Sequence, residues 1–152
     1  PEVLSSSYYF PKTNQMIEFE VRPWYTNTEG GAGVGNLLYG SEGWLVINGY
    51  STYELWEKNG KQPKHKKSDG DPVGKHFANF IAAVRSRDAS QLHGPVETAH
   101  TSAGLAHLGN IAYRLGRKLK FDPAAEKFIG DTEADGLLTR NYRAPFVVPE
   151  KV

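Results

Sequence analysis

A chain of 152 residues is long enough to bury a core of its own without disulfides or metals. It has no cysteine, which removes disulfide frameworks, thiolate nucleophiles and thiolate metal ligands together. Eighteen Lys and Arg against seventeen Asp and Glu leave a net charge of +1, too balanced to mark out a nucleic-acid or anionic-membrane partner.

The first half reads as strands. "EVLSSSYYF" (residues 2–10) is rich in β-branched and aromatic residues, and "PKTN" after it is turn chemistry. In "QMIEFEVRPW" (residues 15–24) Ile17, Phe19 and Val21 fall on one face and Glu18, Glu20 and Arg22 on the other, the period of a half-exposed strand. "NLLYG", "GWLVING" and "YSTYELWEK" follow, each bounded by glycine or a turn. Residues 58–72, with Lys58, Lys61, Lys64, Lys66 and Lys67 and then Asp69 and Asp71, read as an exposed Lys-rich loop.

The period then changes. "GKHFANFIAAVRSR" (residues 74–87) places Phe77, Phe80, Ile81 and Val84 at i, i+3, i+4 and i+7, one stripe of an amphipathic helix. "GPVETAHTSAGLAHLGNIAYRLGRKL" (residues 94–119) is a longer helix, with Pro95 near its start and Gly116 near its end. Its small residues Ala99, Ala103, Gly104, Ala106 and Ala112 predict close packing on a sheet. Asp131 caps a short helix with Ala134 and Leu137 inside, and residues 140–152 form an extended tail with two prolines. Strands followed by helices, without βαβ alternation, give an α+β class: a mostly antiparallel open sheet with helices packed on one face.

"NTEGGAGVGNLLYGSEG" (residues 27–43) invites comparison with phosphate-cradling loops. A dinucleotide fingerprint, G-x-G-x-x-G, needs its third glycine and a following helix whose N-terminus holds the pyrophosphate. Gly31 and Gly33 are followed by Asn36, and Gly33 and Gly35 by Leu38, and the sequence continues as strand. The segment is therefore expected to connect strands. G-x-S-x-G, H-E-x-x-H and P-loop motifs are also absent from the sequence.

The stretches "FEVRPWYTNTEGGAGVGNLLYGSEGWLVI", "HFANFIAAVRSR", "HTSAGLAHLGNIAYRLGRKLKFDPAAEKFIGD" and "EADGLLTRNYRAPFVVPEKV" span most of the chain. In order and content they resemble the C-terminal domain of Gfo/Idh/MocA-type oxidoreductases, especially the bacterial branch found beside sugar-degrading genes. The resemblance implies one domain over 1–152 that shapes a substrate pocket and makes subunit contacts. In full-length members a Rossmann domain binds NAD or NADP and carries the catalytic Lys of a Glu-Lys-Pro motif and an Asp-x-x-x-His element. Neither motif occurs here, so no cofactor is expected on this chain and dehydrogenase activity is not expected from it alone. The start at Pro1, followed at once by a strand-like run, points to a chain cut from a longer one. No charged n-region or apolar h-region opens the sequence, so the expected compartment is the cytoplasm, with the periplasm left open.

Three groups of residues are candidates for chemistry or binding. Glu97, His100 and His107 lie near one stripe of the long helix, where imidazole and carboxylate suit a base and its orienter. The same trio could also hold a divalent metal, and the adjacent Leu105, Leu108 and Ile111 favour the plain alternative of hydrogen-bonded groups at a helix–sheet junction; no metal is expected. Trp24, Tyr25 and Asn27 offer aromatic and amide groups to a sugar, and Arg143 a bidentate contact to an anion. Glu18, Glu20 and Arg22 form the mixed face expected to meet a second subunit, since the open sheet face does so in the resembled family. The function expected first is a substrate-side and oligomerisation domain, with a sugar or lactone as small-molecule partner. The alternatives are a stand-alone lactone hydrolase working through Glu97, His100 and His107, and a non-catalytic dimeric scaffold.

Overall fold

The computed structural model describes residues 2–23, 28–68 and 70–148. The fold is α+β, with antiparallel sheets and three α-helices among the described residues. No described helix is long and apolar enough to cross a membrane. The chain forms two compact units, one comprising residues 1–5 and 20–96, the other residues 6–19 and 97–152.

Strands β1 (Leu4–Phe10) and β2 (Gln15–Val21) form a hairpin whose turn places Asn14 in the left-handed region, φ 52°. Asn tolerates that conformation because its short side chain bonds locally, and here its Oδ1 accepts from the Tyr9 hydroxyl at 3.2 Å.

The first unit is built on a four-stranded antiparallel meander, β3 (Gly35–Tyr39), β4 (Gly43–Asn48), β5 (Thr52–Glu57) and β6 (His65–Ser68). The register sorts its side chains into two faces. One carries the rows Leu37–Val46–Glu54–Lys66 and Tyr39–Trp44–Trp56; the other carries Leu38–Leu45–Leu55–His65 and Asn36–Ile47–Tyr53–Lys67. Strand β6 corrects the expectation of a loop through residues 58–72. Its polar sequence gives no strand signal, and its pairing with β5 supplies the structure.

Helix α1 (Pro72–Ser86) begins two residues before the expected Gly74. Pro72 stands at its first turn, where the missing N–H costs nothing, and the Asp71 carboxylate accepts from the Gly74 amide at 2.8 Å. It ends at Arg87 in the left-handed region, φ 57°. Asp88 then caps a 3₁₀ turn at Ala89–Gln91. The Asn79 side chain clamps that turn to α1, donating to the Gln91 carbonyl at 2.7 Å and accepting from the His93 amide at 2.9 Å.

In the second unit, helix α2 (Val96–Leu115) runs from just after Pro95 to Gly116, whose φ of 64° and bonds to Ala112 and Tyr113 close the last turn. Next come the short hairpin β7 (Phe121–Asp122) and β8 (Lys127–Phe128), then α3 (Thr132–Asp135). These elements meet around Ile111, Phe128 and Ala134, all at most 5% exposed, with Leu108, Leu115, Leu119 and Phe121 packed against them. Phe121 and Phe128 meet edge to face at 5.2 Å between centroids. As expected, Asp131 caps α3 and Ala134 is inside, but Leu137 is exposed. The close approach to α2 falls at Gly109, outside the small residues expected to provide it. A Cβ there would run into the Tyr8 hydroxyl and Ser6 Oγ, whereas one at Gly104 would meet nothing within 4 Å.

Candidate functional site

The glycine segment is a lap of chain over its own sheet. A tight turn runs from Glu29 to Ala32, closed by Ala32 N–H donating to the Glu29 carbonyl at 2.9 Å. Gly30, at φ +56°, sits so close to the sheet that a Cβ would come within 2.9 Å of Leu37 Cδ2, with Trp44 and Val46 just beyond. Two side chains from the same sheet face fasten the lap. Tyr39 donates to the Glu29 carboxylate at 3.4 Å, and Asn48 donates to the Gly31 carbonyl at 3.1 Å. Desolvation, followed by the Glu29 charge, pushes the Tyr39 hydroxyl above its ordinary pKa. The chain then enters β3 and not a helix, so the residues do not fit a dinucleotide pyrophosphate.

This covered face holds Val46, 2% exposed, and the stacked pair Trp44 and Trp56, whose rings lie 5.0 Å apart and within 9° of parallel. Trp56 Nε1 is enclosed without a hydrogen-bond partner. The opposite face is open. Leu38 is 51% exposed, Tyr53 39% and Leu55 37%, and Tyr50 stands at its end at 83%.

The sequence candidates are distributed as follows. Trp24, Tyr25 and Asn27 lie outside the described residues. His100 Nε2 lies 2.8 Å from Glu126 Oε1 across to the β7–β8 turn, where Glu126 adopts φ 50°. Both side chains are exposed. Glu97 and His107 are exposed on α2, and no three His, Asp or Glu side chains gather as a metal site among the described residues. His107 stands seven residues beyond His100, roughly 10 Å along the helix axis, so the two imidazoles address different places. The pairing the sequence missed is His100 with Glu126, 26 residues apart. Glu20 and Arg22 pair with each other at 3.1 Å, and Glu18 is exposed beside them on β2. The Arg143 guanidinium lies over the Phe146 ring, 5.5 Å from its centroid, which gives it a contact within the tail.

Electrostatic shifts mark anchoring points. Asp131 is held below the usual carboxylate range first by the Ala134 amide and then by Arg117. The bonds to Asp131 and Glu133 in turn raise Arg117. Lys64, 2.5 Å away, lowers Glu57. Ser90 and Gln91 lower Asp88 at the start of the 3₁₀ turn.

Tyr50, Tyr53 and Lys67, on the open face of the meander, were not among the sequence candidates because they are scattered in sequence. Only the pairing of β5 with β6 brings Tyr53 and Lys67 opposite each other.

Residues 57–148, more than half of the chain, match the oxidoreductase family, C-terminal alpha/beta domain, of the Gfo/Idh/MocA type. Neither the curated proteins nor the solved structures compared with the chain give a match.

Proposed function

Because the chain belongs to the C-terminal domain of the Gfo/Idh/MocA oxidoreductase family, we propose that it is the substrate-side and self-associating part of an NAD(P)-dependent sugar oxidoreductase. Hydride chemistry then belongs to a nucleotide-binding half outside these 152 residues. The glycine segment supports this division, because it is spent on covering the sheet and leads into a strand. The observation that carries the proposal is the one-sided sheet: one face is closed by the glycine lap, and the other is bare, apolar and tyrosine-edged. Self-association is assigned to β2, every residue of which is exposed, with Ile17, Phe19 and Val21 on one face and Glu18 and Glu20 along the other, continued just past the strand by Arg22.

Two measurements on the purified chain test this. Equilibrium dialysis with NADH and NADPH is expected to show no one-site binding in the micromolar range. Sedimentation velocity is expected to show a concentration-dependent dimer that Phe19→Glu weakens. Tight one-site dinucleotide binding, or a monomer at the highest attainable concentration, overturns it.

A further inference from the structure

The open face of the four-stranded sheet ends in a depression of about 390 Å³, within the range of roughly 300–1,000 Å³ usual for small-molecule sites. Its floor is apolar, formed by Leu45, Ile47 and the ring of Tyr53. Tyr50 and Ser51 rim it at the β4–β5 turn, Thr52 lines it beside them, and Lys67 reaches it from β6.

The two adjacent lysines of β6 have different partners. Lys66 shares the covered face with Glu54 and pairs with it at 2.6 Å. Lys67 has the opposite parity and stands across from Tyr53 on the open face. It has no carboxylate partner among the described residues, and no acid lines the depression. The second depression of this unit is different in kind, because its Lys64 is already neutralised by Glu57.

An apolar floor suits the C–H face of a pyranose, a hydroxyl rim suits its edge, and a lone ammonium suits a single negative charge. A phosphate would bring up to two charges to one lysine, with no helix N-terminus among the lining residues to share them. We propose that this depression binds a sugar acid, a pyranose whose C–H face lies on Leu45, Ile47 and Tyr53 and whose carboxylate pairs with Lys67. The site deepens the substrate-side role proposed above and rests on it.

The test is an amide NMR titration of the 152-residue chain with D-glucuronate, with D-glucose (the same ring without the carboxylate) and with inorganic phosphate. D-glucuronate is expected to shift the amides of residues 50–53 and Lys67 at concentrations about fivefold lower than D-glucose does, the scale of one exposed ion pair. Lys67→Met should erase that preference and Lys67→Arg should keep it. Equal binding of the two sugars, a preference that survives Lys67→Met, shifts confined to other residues, or a response to phosphate alone each overturns the sugar-acid site. In the first three cases a sugar still binds and the substrate-side role stands. A chain that responds to no sugar at all loses both.

Discussion

Arg117 and Asp131 join the end of one helix to the beginning of another. Arg117 follows Gly116 at the close of α2, and its Nη2 donates to both carboxylate oxygens of Asp131, at 2.8 and 2.9 Å. Asp131 at the same time caps α3, accepting from the Ala134 amide at 3.0 Å. The same guanidinium nitrogen reaches Glu133 at 2.8 Å. One carboxylate thus fixes the angle at which the polypeptide turns around the Phe121–Phe128 pair.

Asn is as good a cap as Asp, so Asp131→Asn isolates the ion pair from the cap. It is expected to lower Tm by a few degrees at neutral pH. Because the folded-state pKa of Asp131 is depressed, its contribution is present above the ordinary carboxylate value, about 3.9. It is lost as pH falls through the lower folded value. The Tm difference between wild type and Asp131→Asn should therefore shrink below about pH 4. A difference that stays constant into stronger acid would contradict the assignment.

Gly109→Ala should destabilise the second unit, although Ala is the better helix former by about 1 kcal/mol. The new methyl would meet Tyr8 and Ser6, and overpacking of this kind costs about 1–3 kcal/mol. Tyr8→Phe removes the bond from the Tyr8 hydroxyl to the Leu105 carbonyl, 2.5 Å, at a cost of about 1 kcal/mol. Because Phe also removes the Tyr8 oxygen, one of the atoms crowding the methyl, the double variant should cost less than the sum, as measured by urea denaturation. Strict additivity would show that the two residues do not touch.

Gly30→Ala and Gly31→Ala separate crowding from backbone strain. Both residues have positive φ, +56° and +81°, but only Gly30 has side chains within 4 Å of a Cβ. Each variant should lose about 1–2 kcal/mol to the left-handed conformation, with a further loss at Gly30. Equal losses would mean that the turn does not press on Leu37.

Trp56→Phe and Trp44→Phe remove similar bulk from the stacked pair. The first also removes an enclosed N–H that has no partner, a group whose burial costs about 1–3 kcal/mol. Trp56→Phe is therefore expected to be the milder substitution in chemical denaturation. The reverse order would show that the Trp56 nitrogen is satisfied in solution.

Much of this architecture is legible in local pattern. Alternation through Ile17, Phe19 and Val21 marks β2, and Pro95 and Gly116 bracket α2 to within a residue. What stayed hidden depends on distant partners. The β6 sequence becomes a strand only by lying against β5. Gly109 is a contact only because Tyr8, 101 residues earlier, folds onto it. The helix stripe suggested Glu97, His100 and His107 as a group, but the partner His100 takes comes from a turn that no helical spacing encodes.

Both described tryptophans, Trp44 and Trp56, lie on the four-stranded meander of the first unit. The emission of these two indoles follows the unfolding of the four-stranded meander, while tyrosines lie in both units. Parallel rings 5.0 Å apart also couple their electronic transitions, so the circular dichroism of Trp44 and Trp56 reads the β4–β5 register directly. The molecule carries its own optical means of asking whether its two units melt together or apart.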